Sequence, residues 1–193
     1  MSCGSCKVAD LLEGYVPYND QERLDKYVIL DYLRTSPDIF LRSNLKAHMT
    51  ASAWIVNRSR TKVLMVFHRI YDSWSWTGGH ADGDEDLLAV AMREAREETG
   101  VEALPVSPSI FSIEQLPVDG HYKNGLYVPS HMHLNVSFLL EADDSAPLKV
   151  KADENKAVAW FGLDEALTKP SPAERWVVDH IYAKLNSKLK EIL

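Results

Sequence analysis

The sequence predicts an α/β fold in which a mixed β-sheet is accompanied by helices. Residues 48–56 alternate in the manner of a strand, and an apolar run at 62–70 follows after a short polar turn. Residues 85–99 contain neither glycine nor proline and repeat apolar side chains at helical spacing. Amphipathic helical patterns also occur at 20–35 and 173–192.

The helix predicted at 20–35 is supported by the spacing of its apolar residues. Apolar residues recur at i, i+3, i+4 and i+8, namely Leu24, Tyr27, Val28 and Tyr32. Ser36 and Pro37 end the helix, because proline disfavours helical backbone in the residue before it. A short second helix is expected at about 38–42.

The remaining elements follow the central helix. They are strands at 109–116, 126–141 and 157–161, a short helix at 164–167 and a last helix at 173–192. Alternation along 126–141 places five side chains on one face of that strand: His131, His133, Asn135, Ser137 and Leu139.

The segment from Gly79 to Val101 carries the most specific pattern in the chain. It reads GHADGDEDLLAVAMREAREETGV and fits G-x5-E-x7-R-E-U-x-E-E-x-G-U, where U is aliphatic, at every fixed position. The matching residues are Gly79, Glu85, Arg93, Glu94, Ala95, Glu97, Glu98, Gly100 and Val101. At average residue frequencies the probability of this coincidence is on the order of 10⁻⁷, so the pattern is not accidental.

The same segment predicts a helix with defined ends. Gly78 and Gly79 are expected to break the preceding strand, and the helix is expected to begin near Glu85 after a turn rich in aspartate. Gly100 ends the helix as the residue that adopts left-handed backbone.

Three carboxylates are predicted on one outward face of this helix. Glu94, Glu97 and Glu98 fall within an arc of roughly 100°, beside an apolar stripe. Their mutual repulsion amounts to some tenths of a kcal/mol, and a divalent cation such as Mg²⁺ reverses its sign while leaving positions for phosphate oxygens. The alternative interpretation is a solvated acidic face in which Arg93 pairs with Glu97.

The complete pattern resembles the Nudix box, and residues 46–168 are similar to the Nudix hydrolase family. The resemblance implies an α/β/α sandwich. Residues 1–45 and 169–193 lie outside it and could serve dimerisation or substrate capping, but their helical apolar stripes favour a helical extension packed on the domain at 1–45 and a C-terminal helix of the same domain at 169–193. The resemblance also implies hydrolysis of a phosphoanhydride in a nucleoside diphosphate linked to another moiety, such as ADP-ribose. Water attacks at phosphorus with the help of Mg²⁺ or Mn²⁺.

The resemblance assigns roles to the matching residues. The implied metal ligands are the carboxylates of Glu94, Glu97 and Glu98 and the backbone carbonyl of Gly79. Glu94 is either a ligand or the general base, whereas Arg93 and Glu85 orient the carboxylates.

A further acidic residue on a later loop is expected to act as the base or to complete the metal site. Glu154 is the preferred candidate, ahead of its neighbour Asp153 and of residues 141–144. Each of these residues could also be a solvated loop charge.

Substrate contacts are expected from two places outside the box. Trp74 and Trp76 precede it and could stack a nucleobase, although tryptophan more often packs in a core. His131 and His133 could bind phosphate or metal, or be satisfied polar residues on a half-exposed sheet.

Composition limits the partners. The 193 residues are 46% hydrophobic and 25% charged, which is enough for one globular domain. A net charge of -7 argues against a nucleic-acid polymer or an anionic membrane as the main partner, whereas a small nucleotide or diphosphate held through metals remains compatible. Without a signal segment, the expected location is cytoplasmic, and a homodimer is compatible with the terminal helices.

Two other functions are compatible with part of the pattern. One is an isomerase similar to isopentenyl-diphosphate isomerases, which share the Nudix fold but use a catalytic cysteine inside the domain. The other is a catalytically silent Nudix-like binding module, which normally lacks some of the glutamates that this box retains. The hydrolase is favoured over both.

Cys3 and Cys6 form a C-x-x-C pair at the N-terminus, and we predict that both are dispensable. A zinc site needs two further ligands, and a redox pair should lie between a strand and a helix. The double variant Cys3→Ser/Cys6→Ser should therefore keep wild-type activity and zinc content, measured by turnover and by elemental analysis. Stoichiometric zinc that disappears in this variant would contradict the prediction.

Overall fold

The computed structural model describes residues 4–123 and 125–192. The helices are α1 (Gly4–Gly14), α2 (Asp20–Thr35), α3 (Leu87–Thr99), α4 (Leu163–Ala166), α5 (Arg175–Val177) and α6 (Ala183–Glu191). The strands are β1 (Ala47–Asn57), β2 (Lys62–His68), β3 (Ser73–Ser75), β4 (Thr77–His80), β5 (Leu104–Pro105), β6 (Ser112–Val118), β7 (His121–Lys123), β8 (Leu126–Val128), β9 (His131–Ala142) and β10 (Asn155–Gly162). Helices and a multi-stranded sheet together confirm the predicted α/β class.

The chain divides into two compact units. The first contains residues up to 52, 79–90 and 109–138, and the second contains 53–78, 91–108 and 139 onwards. The boundaries fall inside β1, β4, α3 and β9, so each of these elements contributes residues to both units.

In the first unit, β9 pairs antiparallel with β6, from Ser112 beside Ser137 to Val118 beside His131. Strands β7 and β8 form an antiparallel hairpin. His131 and His133 lie at the start of β9.

The N-terminal helices also belong to the first unit. Helix α2 has the predicted bounds, and the side chain of Asn19 caps it by accepting a hydrogen bond from the Glu22 N–H at 3.0 Å. Helix α1 was not predicted. It has one buried stripe, formed by Val8 and Leu12 at i,i+4, which is too short a pattern to identify a helix from sequence.

Two predictions for this unit are wrong. Residues 38–42 form turns and not a helix. The Ile39 N–H donates to the Ser36 carbonyl and the Leu41 N–H donates to the Asp38 carbonyl, each three residues earlier in the chain. Residues 126–141 are two strands and not one, because Pro129 lies between β8 and β9 and has no N–H to continue a ladder.

In the second unit, β2 pairs antiparallel with β1, β3 and β10. The end of β9 pairs with β5. The inner strand β2 is buried from Val63 to Val66, which explains its continuous apolar run.

The C-terminal segment is helical over the predicted range but not a single α-helix. A 3₁₀ turn (Pro172–Glu174) precedes α5, and a π-helical turn (Val178–Tyr182) joins α5 to α6. Its buried stripe is formed by Val178, Ile181, Tyr182, Leu185 and Leu189. Within the described part of the chain, no helix has the length and apolar character needed to cross a bilayer.

Candidate active site

Helix α3 is positioned by caps at both ends. The Asp86 side chain accepts from the Ala89 N–H at 3.0 Å, so the helix begins at Leu87, two residues later than predicted. Gly100 ends it as predicted, with a φ of 75° and its N–H donating to the Arg96 carbonyl at 2.8 Å.

The glycines before the helix do not break a strand, and that prediction is wrong. Gly78 and Gly79 lie inside β4. Neither glycine has the left-handed backbone found at Gly83, so an extended conformation is open to both.

The three carboxylates of α3 differ in exposure. The Glu97 side chain is 47% exposed and that of Glu94 is 15% exposed, whereas Glu98 is buried. The prediction that all three face outward is therefore wrong for Glu98. Residues 91, 95 and 98 lie in one row along the helix, and Ala91 and Ala95 are both fully buried.

Glu98 is held by two hydrogen bonds inside the second unit. The Gly78 N–H donates to Oε2 at 3.0 Å, and the Asn155 side-chain amide donates to Oε1 at 3.1 Å. Burial raises the pKa of Glu98 to about 7, although both hydrogen bonds favour the charged form. Removing this carboxylate from water is unfavourable unless a further positive charge compensates for it.

Asn155 is a site residue that sequence reasoning missed. It is fully buried at the start of β10, and its Oδ1 has no hydrogen-bond partner among the described residues. Its neighbour Glu154 was predicted from its charge, but an asparagine carries no comparable signal.

Glu94 and Arg93 are in contact. Arg93 Nη2 lies 3.7 Å from Glu94 Oε1, which agrees with an orienting role for the arginine. Burial, and next the charge of Glu97, raise the pKa of Glu94 above its ordinary value. Glu85 is exposed and precedes the first residue of the helix.

Lys151 joins the helix to the later acidic loop. Its Nζ lies 3.3 Å from Glu97 Oε2 and 3.0 Å from Glu154 Oε2. Burial opposes the charge of Lys151, but hydrogen bonds to Glu154 and Glu97 outweigh it and raise the lysine pKa. The structure therefore brings Glu154, the preferred candidate for the base, to the carboxylates of the box.

The donor set fits a hard divalent cation. Glu94, Glu97, Glu98 and Glu154 offer carboxylate oxygens, the ligands that Mg²⁺ and Mn²⁺ prefer. The ammonium of Lys151 already lies between two of these groups, so this part of the second unit favours positive charge.

The two tryptophans predicted to stack a nucleobase pack against other aromatic rings. Trp74 packs edge-on against Phe67 and Phe161, with ring centroids 5.4 and 4.8 Å apart, and the Trp76 ring lies 5.6 Å from that of Tyr182. Both tryptophans remain half-buried, so a stacking role stays a prediction.

The remaining residues singled out in the sequence are the histidines of β9 and the two cysteines. His131 and His133 lie in the first unit with their Nε2 atoms 3.3 Å apart. Cys3 lies outside the described residues, and Cys6 falls in α1.

Comparison with known proteins identifies similar chains. The NUDIX domain model matches residues 46–184. The asymmetrical bis(5'-nucleosyl)-tetraphosphatase of Mus musculus is 30% identical over 94 residues, covering 48% of this chain and 58% of that protein. The m7GpppN-mRNA hydrolase NUDT17 of Xenopus laevis is 28% identical over 144 residues, covering 66% and 47%.

The chain thus spans less than two thirds of the length of these curated relatives. Among solved structures, a hydrolase of the NUDIX family from Clostridium perfringens superposes with a TM-score of 0.54 at 19% identity. The match covers 76% of this chain and 98% of that one, which shows a common fold.

Proposed function

The chain belongs to the NUDIX family, and on that premise we propose that it is a metal-dependent pyrophosphohydrolase. It cleaves a phosphoanhydride in a nucleoside diphosphate linked to another moiety. The observation that carries the proposal is the cluster of Glu94, Glu97 and Glu98 on one helix, with the ammonium of Lys151 held between Glu97 and Glu154.

In this proposal the box carboxylates hold Mg²⁺ or Mn²⁺. Bound there, a divalent cation supplies Lewis acidity and neutralises charge on the phosphates. Hydrogen bonds from the Gly78 N–H and from the Asn155 amide hold the Glu98 carboxylate in place, so it does not have to rearrange before it acts as a ligand. Arg93 orients Glu94 through their contact.

The general base is either Glu94 or Glu154. The pKa of Glu94 is raised toward neutral pH, and a general base works best when its pKa is near the working pH. Glu154 is 45% exposed and is fixed by Lys151, so a water molecule has access to it. Loss of the acidic limb of the pH–rate profile in Glu94→Gln or in Glu154→Gln would identify which residue acts as the base, because a general base loses activity when it is protonated.

The substrate class rests on weaker support. The curated relatives are named for dinucleoside tetraphosphates and for capped mRNA, both of which contain nucleotides joined through phosphoanhydrides. Residues 79–101 contain two cationic side chains, Arg93 and Arg96, which is few for holding a free triphosphate without metals. We therefore place ADP-ribose, another nucleotide sugar or a dinucleoside polyphosphate ahead of dNTPs.

A substrate panel tests this function. ADP-ribose, other nucleotide sugars, a dinucleoside tetraphosphate, a capped RNA, dNTPs and a prenyl diphosphate are each incubated with Mg²⁺ and with Mn²⁺ in ¹⁸O-water. We expect a nucleoside monophosphate and a phosphorylated partner, one of them labelled at phosphorus. Turnover of dNTPs alone with release of pyrophosphate, or label-free isomerisation of the prenyl diphosphate, would show that the assignment is wrong.

The matched control for this panel is Glu102→Gln. Glu102 is exposed and pairs with Arg96, so its substitution removes one carboxylate near α3 without touching the proposed site. It should keep wild-type turnover on every substrate that the panel identifies.

A further inference from the structure

Four imidazole rings meet in the first unit. The centroid of His48, at the start of β1, lies 5.1 Å from that of His80, 4.8 Å from that of His131 and 5.0 Å from that of His133. Ligand atoms of His48, His80 and His133 all lie within 4.8 Å of one another. Three strands, β1, β4 and β9, therefore bring nitrogen donors to one point.

Backbone carbonyls determine which nitrogen of two of these rings carries the proton. His48 Nδ1 lies 3.1 Å from the Asn44 carbonyl, and His131 Nδ1 lies 2.8 Å from the Pro129 carbonyl. A carbonyl only accepts, so each Nδ1 is a donor and each Nε2 carries a lone pair. Carbonyls bind the second nitrogen of metal-ligating histidines in the same way.

The Nε2 atom of His48 is an unsatisfied acceptor. His48 is 4% exposed, and this atom has no hydrogen-bond partner among the residues that the structure describes. Buried polar atoms without a partner are rare in folded proteins and call for a specific explanation. A cation at the centre of the four rings supplies one.

The spacing of His131 and His133 agrees with tetrahedral coordination. Their Nε2 atoms are 3.3 Å apart. Two nitrogens bound to one tetrahedral Zn²⁺ at about 2.0–2.1 Å lie about 3.3–3.4 Å from each other.

We propose that His48, His80, His131 and His133 form a binding site for a divalent transition-metal ion such as Zn²⁺. Imidazole nitrogen suits Zn²⁺, Ni²⁺ or Cu²⁺, whereas the carboxylates of α3 suit Mg²⁺ or Mn²⁺, so the two sites select different metals. The bound ion ties β1, β4 and β9 together. Because His80 directly follows Gly79, it also fixes the strand that carries the box glycine.

Zinc content of the full chain tests the proposal without reference to turnover. The protein is stripped with a chelator, equilibrated with Zn²⁺ and analysed for bound metal, and X-ray absorption of the zinc form identifies the donor atoms. We expect one zinc per chain with three or four imidazole nitrogens and a thermal midpoint several degrees higher with zinc. His133→Gln should weaken zinc binding by at least about 10²-fold.

Controls separate this site from the others. His121→Gln alters a histidine of β7 whose Nδ1 contacts the Asp119 carbonyl, and Glu97→Gln alters the carboxylate site; both should keep the zinc. If circular dichroism shows that the His133→Gln variant does not fold, the test rests on the donor atoms that X-ray absorption identifies in the zinc-loaded wild-type protein. Absence of bound zinc, oxygen-only donors, or equal zinc affinity in a folded His133 variant would overturn the proposal.

Discussion

Glu98→Gln is expected to lower kcat by at least about 10²-fold and, in metal-free protein, to make the fold more stable. The kinetic loss follows from removing a carboxylate that the proposed metal site uses. The gain in stability follows from removing a buried charge whose pKa is raised to about 7. Glutamine keeps one acceptor for Gly78, and the Asn155 amide can rotate to offer its unpartnered Oδ1 to the new NH₂ group.

The stability difference should depend on pH with a defined sign. The pKa of Glu98 is raised from 4.5 to about 7 in the folded state, so the folded state binds the proton more tightly than the unfolded one. The stability from that proton is complete below about pH 4.5 and is lost as pH rises through 7. Because glutamine cannot ionise, the advantage of the variant should grow over this window to on the order of 3 kcal/mol.

Urea denaturation with a chelator at pH 5 and pH 8 measures this effect, and Glu97→Gln is the matched control. Glu97 is 47% exposed and already paired with Lys151, so its variant should lose activity similarly but gain little stability at either pH. An advantage of Glu98→Gln that is equal at both pH values, or wild-type turnover in both variants, would contradict the roles assigned here.

Gly100→Ala is expected to destabilise the fold by about 3 kcal/mol or more, for two additive reasons. The φ of 75° is a left-handed conformation that costs a non-glycine residue about 1–2 kcal/mol. A Cβ at this position would also lie 2.7 Å from Lys149 Cβ and 3.2 Å from the Lys149 nitrogen, which donates to the Thr99 carbonyl. The neighbouring chain must therefore move and weaken that hydrogen bond.

Gly125→Ala separates the two causes. Gly125 has a φ of 79°, and its added Cβ would meet no atom within 4 Å among the described residues other than its chain neighbours. This variant should lose only the conformational contribution to the free energy of unfolding, about 1–2 kcal/mol. Chemical denaturation of both variants gives the difference. Equal losses of unfolding free energy in the two variants would contradict the prediction, because the contact between the added Cβ and Lys149 would then have no cost.

The parts of the molecule that sequence predicts well are those set by local patterns. The bounds of α2, the end of α3 at Gly100 and the α/β class follow from local patterns. The carboxylates of the box were placed on one helix for the same reason. The predicted apolar stripe of α2 is wrong, because Leu24 and Tyr27 are exposed and the buried residues are Glu22, Ile29 and Leu33.

The features that were not predicted depend on residues distant in the chain. Burial of Glu98 requires Gly78 and Asn155, which are separated from it by 20 and 57 residues. The bridge through Lys151 requires a contact across 54 residues. Local periodicity carries no information about such pairs, and the error on Glu98 arose because a helical arc of 100° can extend beyond the exposed face.

The bridge formed by Lys151 also determines the reference state for metal binding. The cation-free protein is not a bare group of repelling anions, since a covalently attached counter-ion already neutralises part of their charge. In the proposed metal site, a divalent ion at Glu97 would compete with Lys151 for the same carboxylate oxygens, so the measured affinity would be the difference between the two cations. The Lys151 ammonium would remain tethered beside the site, where it could contact a substrate phosphate.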